Sequence, residues 1–533
     1  MLHLIIKRLI HMQFTVIGNR SSIPDSARNA AFLWTDNWND YWEYQTLYVL
    51  TYVDEDGERH RIGEVKIGEF DWVEDQGRPN IPKSFETLRD DFFSLGQSAE
   101  YYELLRGFGA DFCNTILTAL NDIALDNALF LRASDESVMG ISIMRSVNER
   151  TVSGQYRRII NGGAKLTAFD FSYRGPQQLD PEFDPVELAF SVQPGSRPPT
   201  NIQVLIGRNG VGKSFLMNSM SRALVNPKSE PDDDGEFFEP DDILDEGFEN
   251  PFANILSVTF SAFDDFPIIQ ENQNALKGIR YTNIGLRALE WVEYDDGDRQ
   301  QEKITREPDE LADDFISSAR MCTSTERVER WRRALNTLET DPIFEDADVG
   351  QLIRITQKRE FNRAAKRLFK KLSSGHKIVL LTITKLVEKV EERTLVIMDE
   401  PEAHLHPPLL AGLIRAISDL LKNRNGVAII ATHSPVILQE VPRSCVWKMY
   451  RHGGGARVER PERETFAEHV GILTHEVFGL EVTRSGFHKM LADAIDTHDD
   501  FDDVLAKFDH EIGMEGRALI SSLIAIRDAE AND

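Results

Sequence analysis

The apolar run Val204-Leu205-Ile206 followed by Gly207-Arg208-Asn209-Gly210-Val211-Gly212-Lys213-Ser214 constrains this chain more than any other stretch. It fits G-x-x-x-x-G-K-[ST] in the setting that pattern requires: a strand-like run enters the loop. After it, Phe215, Leu216, Ser219, Met220, Ala223 and Leu224 recur at helical spacing. Glycines let such a loop curl so that successive N–H groups point inward at phosphate oxygens; Lys213 then reaches the β- and γ-phosphates and the Ser214 hydroxyl ligates Mg²⁺. The phosphates sit at the N-terminus of the following helix, whose first turn holds Phe215. A chance Gly-rich turn is the alternative, and the strand-loop-helix context argues against it. The candidate nucleotide-binding set is therefore Gly207, Arg208, Asn209, Gly210, Val211, Gly212, Lys213, Ser214 and Phe215.

The chain has 533 residues, enough for two to four domains with a large core. Cys113, Cys322 and Cys445 lie far apart with no C-x-x-C pair, which argues against a disulfide framework or a cysteine zinc site and points to a reducing cytoplasm. The apolar start Met1 to Ile10 is interrupted by Lys7 and Arg8 and lacks a small-residue cleavage site, so no signal peptide is expected; Met12 is an alternative start. No run reaches membrane-spanning length. A net charge of −28 repels nucleic acid, so any DNA contact would need a local basic patch.

Five regions are expected. Residues 1–160 carry an aromatic cluster (Trp34, Trp38, Tyr41, Trp42, Tyr44), a hairpin of Thr46–Val53 and Arg59–Ile67, and a mostly helical insertion at 84–130. The cluster reads as core between sheet and helix, with adenine stacking as the alternative. Residues 161–264 hold the phosphate loop, followed by a block from Glu230 to Asn250 with eleven carboxylates and no Lys or Arg, read as a solvated or disordered loop. Residues 265–372 form a mixed and helical lobe, 373–450 the rest of the nucleotide chemistry, and 451–533 an acidic helical tail.

Around 357–372, Arg359, Arg363, Lys366 and Lys370 fall on one helical face and Phe361, Ala365, Leu368 and Leu372 on the other. The basic stripe is the candidate nucleic-acid or partner contact, with Arg327, Arg330, Arg332 and Arg333 a weaker second. The alternative is a solvated face, or one pairing with acidic segments such as 230–250. No heptad pattern persists, so coiled-coil arms are not expected.

Leu395-Val396-Ile397-Met398 ends in Asp399-Glu400, a Walker B pattern: Asp399 is the candidate Mg²⁺ ligand, and Glu400 the group that polarises the water attacking the γ-phosphate. Val427–Ala431 is an apolar strand ending at Thr432-His433, where His433 can reach the γ-phosphate. The candidate catalytic residues are thus Lys213, Glu400 and His433. Leu372-Ser373-Ser374-Gly375-His376 opens another helix and resembles the L-S-G-G-Q signature of ABC-type ATPases, with Ser374 in place of the first Gly and His376 in place of Gln. The resemblance implies an α/β P-loop NTPase fold, an ABC-type ATPase head with an N-terminal extension and helical insertions. It also implies ATP with Mg²⁺ as ligands, and a homodimer or higher even-numbered oligomer in which Ser373, Ser374 and Gly375 of one copy meet the nucleotide of another.

Glu400-Pro401-Glu402-Ala403-His404-Leu405-His406-Pro407 resembles the corresponding segment of soluble ATPases related to RecF and to the overcoming-lysogenization-defect nucleases. No glutamine stands at an obvious Q-loop after Ile255–Phe263. The long N-terminal half, Ser257–Asp264, Glu464–Gly471 and Glu476–Leu480 resemble the Septu and retron-associated defence ATPases of the PtuA family. That resemblance implies a regulatory subunit of an anti-phage complex working with a separate HNH-type nuclease, since the tail offers only scattered histidines such as His488, His498 and His510 and no clustered metal ligands of its own. Two other readings stand beside it: a DNA-repair ATPase that touches DNA through the stripe at 359–370, and a chain that holds ATP as a structural ligand. No membrane partner is expected.

Overall fold

The computed structural model describes residues 12–530 except 19–21, 37–43, 74–75, 146, 148, 150, 164–165, 179, 227–230, 240–249, 261–268, 272–278, 294–298, 324–326, 453–454, 480–485 and 496–499. At its centre lies a seven-stranded sheet in the order Arg280–Gly285, Asn254–Thr259, Thr394–Asp399, Val427–Thr432, Ile202–Gly207, Val446–His452, Gly455–Glu459. All neighbours are parallel except the last, which returns antiparallel.

The four inner strands, Asn254–Thr259, Thr394–Asp399, Val427–Thr432 and Ile202–Gly207, are mainly apolar because both faces are covered. Leu205, Leu395, Ile397 and Ile429 face one core, while Val204, Val396, Met398 and Ile430 face the other, the two-residue alternation of a strand. The first core is closed by the helix Lys213–Val225, through Leu216, Met217 and Met220, and by a three-stranded antiparallel sheet of Glu236–Phe238, Phe169–Arg174 and Glu187–Val192. Helices Pro308–Thr323, Arg327–Leu338, Lys358–Lys371, Ser374–Lys389 and Pro407–Lys422 close the second with Phe315, Trp331, Phe361, Val379 and Leu409. This is the P-loop NTPase fold of the ABC type. Among the described residues the longest helix has 17 residues, so there are no coiled-coil arms, and no helix is long and apolar enough to cross a membrane.

The N-terminal region has its own six-stranded sheet, ordered Ser84–Phe85, Gln13–Ile17, Ala30–Thr35, Leu47–Val53, Arg59–Glu69, Phe92–Gly96, and its own core. The hairpin turns at Asp54, whose carboxylate accepts the Asp56 and Glu58 N–H groups. Trp34 donates its indole N–H to Thr51, and buried Tyr44 bonds Ser137, so both serve this fold; Trp38, Tyr41 and Trp42 lie outside the described residues. Ion pairs tie the region to the central sheet: Arg158 to buried Glu392 at 3.1 Å, and buried Arg424 to Glu100 at 3.3 Å.

Four expectations need correction. The insertion at 84–130 begins with two strands, Ser84–Phe85 and Phe92–Gly96, because Phe92, Phe93 and Leu95 are buried as the sheet's edge before the first helix starts at Ala99. Within the acidic block, Pro231–Asp234 is a helical turn and Glu236–Phe238 a strand. Asp234 is buried on Arg222 at 2.5 Å, and its carbonyl accepts the Tyr173 hydroxyl at 2.6 Å, so the block is partly core; 240–249 are not described. A boundary at 264 cuts the central sheet, whose edge strand is Arg280–Gly285, and one at 450 falls inside Val446–His452. Parallel pairing joins segments far apart in sequence, which no local composition reports.

Candidate nucleotide site

The loops after Ile202–Gly207, Thr394–Asp399 and Val427–Thr432 leave the same edge of the sheet, the carboxyl edge where open α/β sheets take ligands. Gly210 and Gly212 have φ of 78° and 105°, left-handed backbone that a side chain would resist. No side chain caps the helix that starts at Lys213, so its first amides face the cradle with nothing local to satisfy them. Lys213 is buried and folds back across the loop, its Nζ donating to the Gly207 carbonyl at 3.0 Å and the Arg208 carbonyl at 2.9 Å. Burial pulls its pKa below the ordinary range, opposed by the nearby carboxylates of Glu400, Asp399 and Glu402. Val211 is buried, Asn209 and Gly210 are exposed, and the Arg208 guanidinium donates to the Phe478 carbonyl at 3.3 Å, tying the loop to the tail. Phe215 is 45% exposed and contributes little to the core.

Asp399 ends its strand and Glu400 turns away from it in left-handed backbone, φ 44°, with its N–H donated to the Ala431 carbonyl at 2.9 Å. That conformation in a non-glycine residue costs about 1–3 kcal/mol and is found where a side chain must be aimed. The His433 Nδ1 stands 3.6 Å from Glu400 and 3.1 Å from Glu402. Lys213, Asp399, Glu400 and His433 are thus brought together, and Ser214 on the first turn adds a hydroxyl. Ser214 and Asp399 supply oxygen donors, the kind Mg²⁺ takes, so the residues fit that ion.

Glu402, to which the sequence pattern lent no role of its own, holds this corner. Its Oε1 accepts the Thr432 hydroxyl at 2.6 Å and the His433 N–H at 2.8 Å, and its side chain is 8% exposed. Glu402→Ala leaves those donors without an acceptor in a nearly dry place, so we expect a loss of about 1–3 kcal/mol of stability and a displaced His433. Denaturant unfolding measured beside ATP turnover checks this; an unchanged midpoint and unchanged turnover would remove Glu402 from the role. The E-P-E spacing was the available signal, but nothing in it names the strand end that Glu402 braces.

Ser373 and Ser374 lie elsewhere, exposed at the start of the helix Ser374–Lys389, where Ser373 is the N-cap. Gly375 is buried against the segment after Glu400: a Cβ there would meet the His404 carbonyl oxygen at 2.4 Å, so this contact requires glycine. Past Ile255–Phe263, where a Q-loop would follow, residues 264–268 and 272–278 lie outside the described residues.

The basic stripe is divided. Arg359 and Arg363 are exposed, but Lys366 pairs with Asp313 at 3.3 Å and Lys370 with Asp309 at 2.7 Å. The acidic partners of these two lysines come from the neighbouring helix Pro308–Thr323, at i and i+4. Between the two helices runs a groove of about 620 Å³ lined by Arg320, Arg363, Lys366, Arg367, Lys370 and Asp313 among others.

Residues 262–439 match the family described as "AAA domain, putative AbiEii toxin, Type IV TA system". The match spans the signature, the Asp399-Glu400 pair and His433, while the phosphate loop precedes it. Among solved structures, an ATP-binding cassette of an ABC transporter aligns with 59% of this chain and 97% of its own at 14% identity and a TM-score of 0.30. The SMC head domain from Thermotoga maritima aligns with 56% of this chain and all of its own at 12% identity and a TM-score of 0.27. Protein ea59 of Escherichia phage lambda is 37% identical over 537 aligned positions, covering 97% of this chain and 99% of the relative. With its ABC-type ATPase core and this end-to-end similarity, the chain belongs to the family of the phage lambda protein ea59.

Proposed function

We propose that the chain binds ATP with Mg²⁺ and hydrolyses it at a site completed by a second copy. The observation that carries this is the separation within one chain of two halves of a site. Lys213, Asp399, Glu400 and His433 converge at the sheet edge, while Ser373 and Ser374 stand exposed at the start of the helix Ser374–Lys389, whose first turn packs on the His404 carbonyl. The loop amides and Lys213 bind phosphate oxygens. Glu400 takes the proton of the attacking water, and the contact of the His433 Nδ1 with Glu402 leaves the far side of the ring to face the γ-phosphate. Ser214 and Asp399 would hold Mg²⁺, which when bound would supply positive charge against the charge that gathers on the phosphate oxygens. Sedimentation with and without ATP tests the assembly: a monomer that doubles in mass with ATP supports it, and a mass indifferent to nucleotide overturns it.

The same reading extends to a biological role as the regulatory subunit of an anti-phage complex that controls a separate HNH-type nuclease. Its support is the resemblance of Ser257–Asp264, Glu464–Gly471 and Glu476–Leu480 to PtuA-type ATPases; the name of the phage relative carries no activity. The test is whether an HNH protein encoded beside this chain co-purifies with it in an ATP-dependent manner. The signature departures at Ser374 and His376 support the scaffold alternative, which retained nucleotide without turnover would favour.

The groove beside the stripe favours a second reading, binding of a nucleic-acid backbone, since five of its cations line one cleft on a chain of net charge −28. Reversing Arg363 and Lys366 to Glu is expected to abolish salt-sensitive DNA binding; each lost phosphate contact lowers the slope of log K against log salt by about 0.9 on duplex DNA. DNA affinity unaltered by the reversal would exclude the groove.

A further inference from the structure

His376, which stands where the resembling signature has glutamine, is the middle of a buried hydrogen-bond chain. Its Nδ1 lies 2.6 Å from the Ser373 hydroxyl and its Nε2 3.1 Å from Asp341 Oδ1. The side chains of His376 and Asp341 are 5% and 9% exposed. Asp341 caps the short helix Pro342–Ala347, accepting the Ile343 N–H at 2.9 Å and the Phe344 N–H at 3.4 Å. Burial pushes the Asp341 carboxyl up, but its hydrogen bonds with His376 and these two amides outweigh burial and hold it below the ordinary range. The second Asp341 oxygen lies 3.3 Å from Nε2 of His406.

Asp341, His376 and His406 are spaced closely enough to surround a metal ion. Hydrogen bonding argues otherwise. The His406 Nδ1 accepts the Leu409 N–H at 3.2 Å, so its Nε2 carries the ring hydrogen and donates it to Asp341, leaving that ring no lone pair for a metal.

The same accounting fixes His376. A carboxylate only accepts, so His376 Nε2 carries hydrogen; in the neutral ring Nδ1 is then a lone pair, and Ser373 must donate to it. A serine has one hydrogen. While Ser373 spends it inward, the exposed hydroxyl offers only lone pairs to whatever approaches, which repels a phosphate oxygen. When a proton from solvent adds to Nδ1, the bond reverses: the ring donates to Oγ, and the serine hydrogen turns outward.

We propose that Asp341 and His376 are a positioning pair for the signature serine, and that closing the ATP sandwich takes up one proton onto Nδ1 of His376, turning Ser373 into an outward donor to phosphate. This rests on the reading that Ser373 meets the nucleotide of a second copy. The proton returns to solvent when the sandwich opens, and no covalent bond other than N–H is made or broken. The groups facing His376 are Asp341 and the Phe344 ring from the segment around the short helix, His406 from the start of Pro407–Lys422, and Ser373 and Lys377 from its own helix. Among these described groups the acid is Asp341, whose Oδ1 faces Nε2 of the ring.

The experiment measures ATP-driven association by sedimentation in a Glu400→Gln background, where hydrolysis does not intervene, from about pH 5.5 to 9 across the range of histidine titration. Association is expected to weaken by up to about tenfold per pH unit toward the alkaline end of that range, the slope of one proton taken up. Adding His376→Gln, whose amide donates to Oγ without a proton, is expected to keep association and flatten the slope. Asp341→Asn keeps a capping oxygen but removes the negative charge 3.1 Å from the ring, and is expected to move the curve to lower pH. A His376→Gln chain that follows the parent's pH curve overturns the proposal while leaving the sandwich standing. A parent that binds ATP by equilibrium dialysis yet stays monomeric at every pH overturns the sandwich and the proposal with it.

Discussion

Glu400→Gln is expected to lower ATP turnover by about 10²–10⁴-fold while nucleotide-driven association persists, because a positioned general base contributes about that much to rate and nothing to phosphate binding. The substitution is nearly isosteric, so the left-handed turn at φ 44° and the Glu400 N–H bond to Ala431 remain. What disappears is the carboxylate that accepts the proton of water. His433 loses a 3.6 Å neighbour but keeps Glu402 at 3.1 Å, so the ring stays in place. Single-turnover hydrolysis measured beside sedimentation separates the two effects. Turnover within a factor of about two of wild type would show that another group takes the proton.

Lys213→Ala and Ser373→Ala are each expected to abolish turnover alone and to restore it when mixed. Lys213 is the buried cation aimed at the cradle, and losing a charged hydrogen bond to phosphate costs about 1.5–3 kcal/mol, or roughly 10- to 100-fold in ATP affinity. Ser373 is the exposed N-cap of a different helix, so in the proposed two-copy site each variant would damage a different half. In a two-fold dimer every mixed pair keeps one intact site, so an equal mixture should recover about a quarter of wild-type turnover. No recovery from two folded partners, with ATP bound by the Ser373→Ala chain, would mean that Ser373 does not act across an interface. The Lys213→Ala chain should also fail to associate with ATP, and an assembly indifferent to that change would separate the loop from oligomer formation.

Much of the nucleotide chemistry was legible because it is local. A phosphate cradle needs a strand, glycines that accept left-handed backbone, and a helix start, all within about fifteen residues. Asp399-Glu400 and His433 sit at the ends of apolar runs that a parallel sheet buries on both faces, so their place at one edge follows from strand direction. The basic stripe was visible as a pattern, but its meaning was not: Lys366 and Lys370 find Asp313 and Asp309, 53 and 61 positions away, on another helix. The acidic block misled in the opposite direction, since charge alone does not reveal that Asp234 is buried on Arg222.

The sequence by itself determined that this chain builds a P-loop NTPase core of the ABC type, with a strand, a glycine loop and a helix start around Gly207–Ser214, because periodicity, turn chemistry and short motifs are properties of neighbouring residues. Only the tertiary structure decided which groups brace that chemistry. Glu402 under Thr432 and His433, Gly375 against the His404 carbonyl, and Asp341 behind His376 and Ser373 belong to segments separated by up to 35 positions. Their partnership arises from how strands and helices pack in three dimensions, where a hydrogen bond depends on an approach of about 3 Å and not on spacing along the chain.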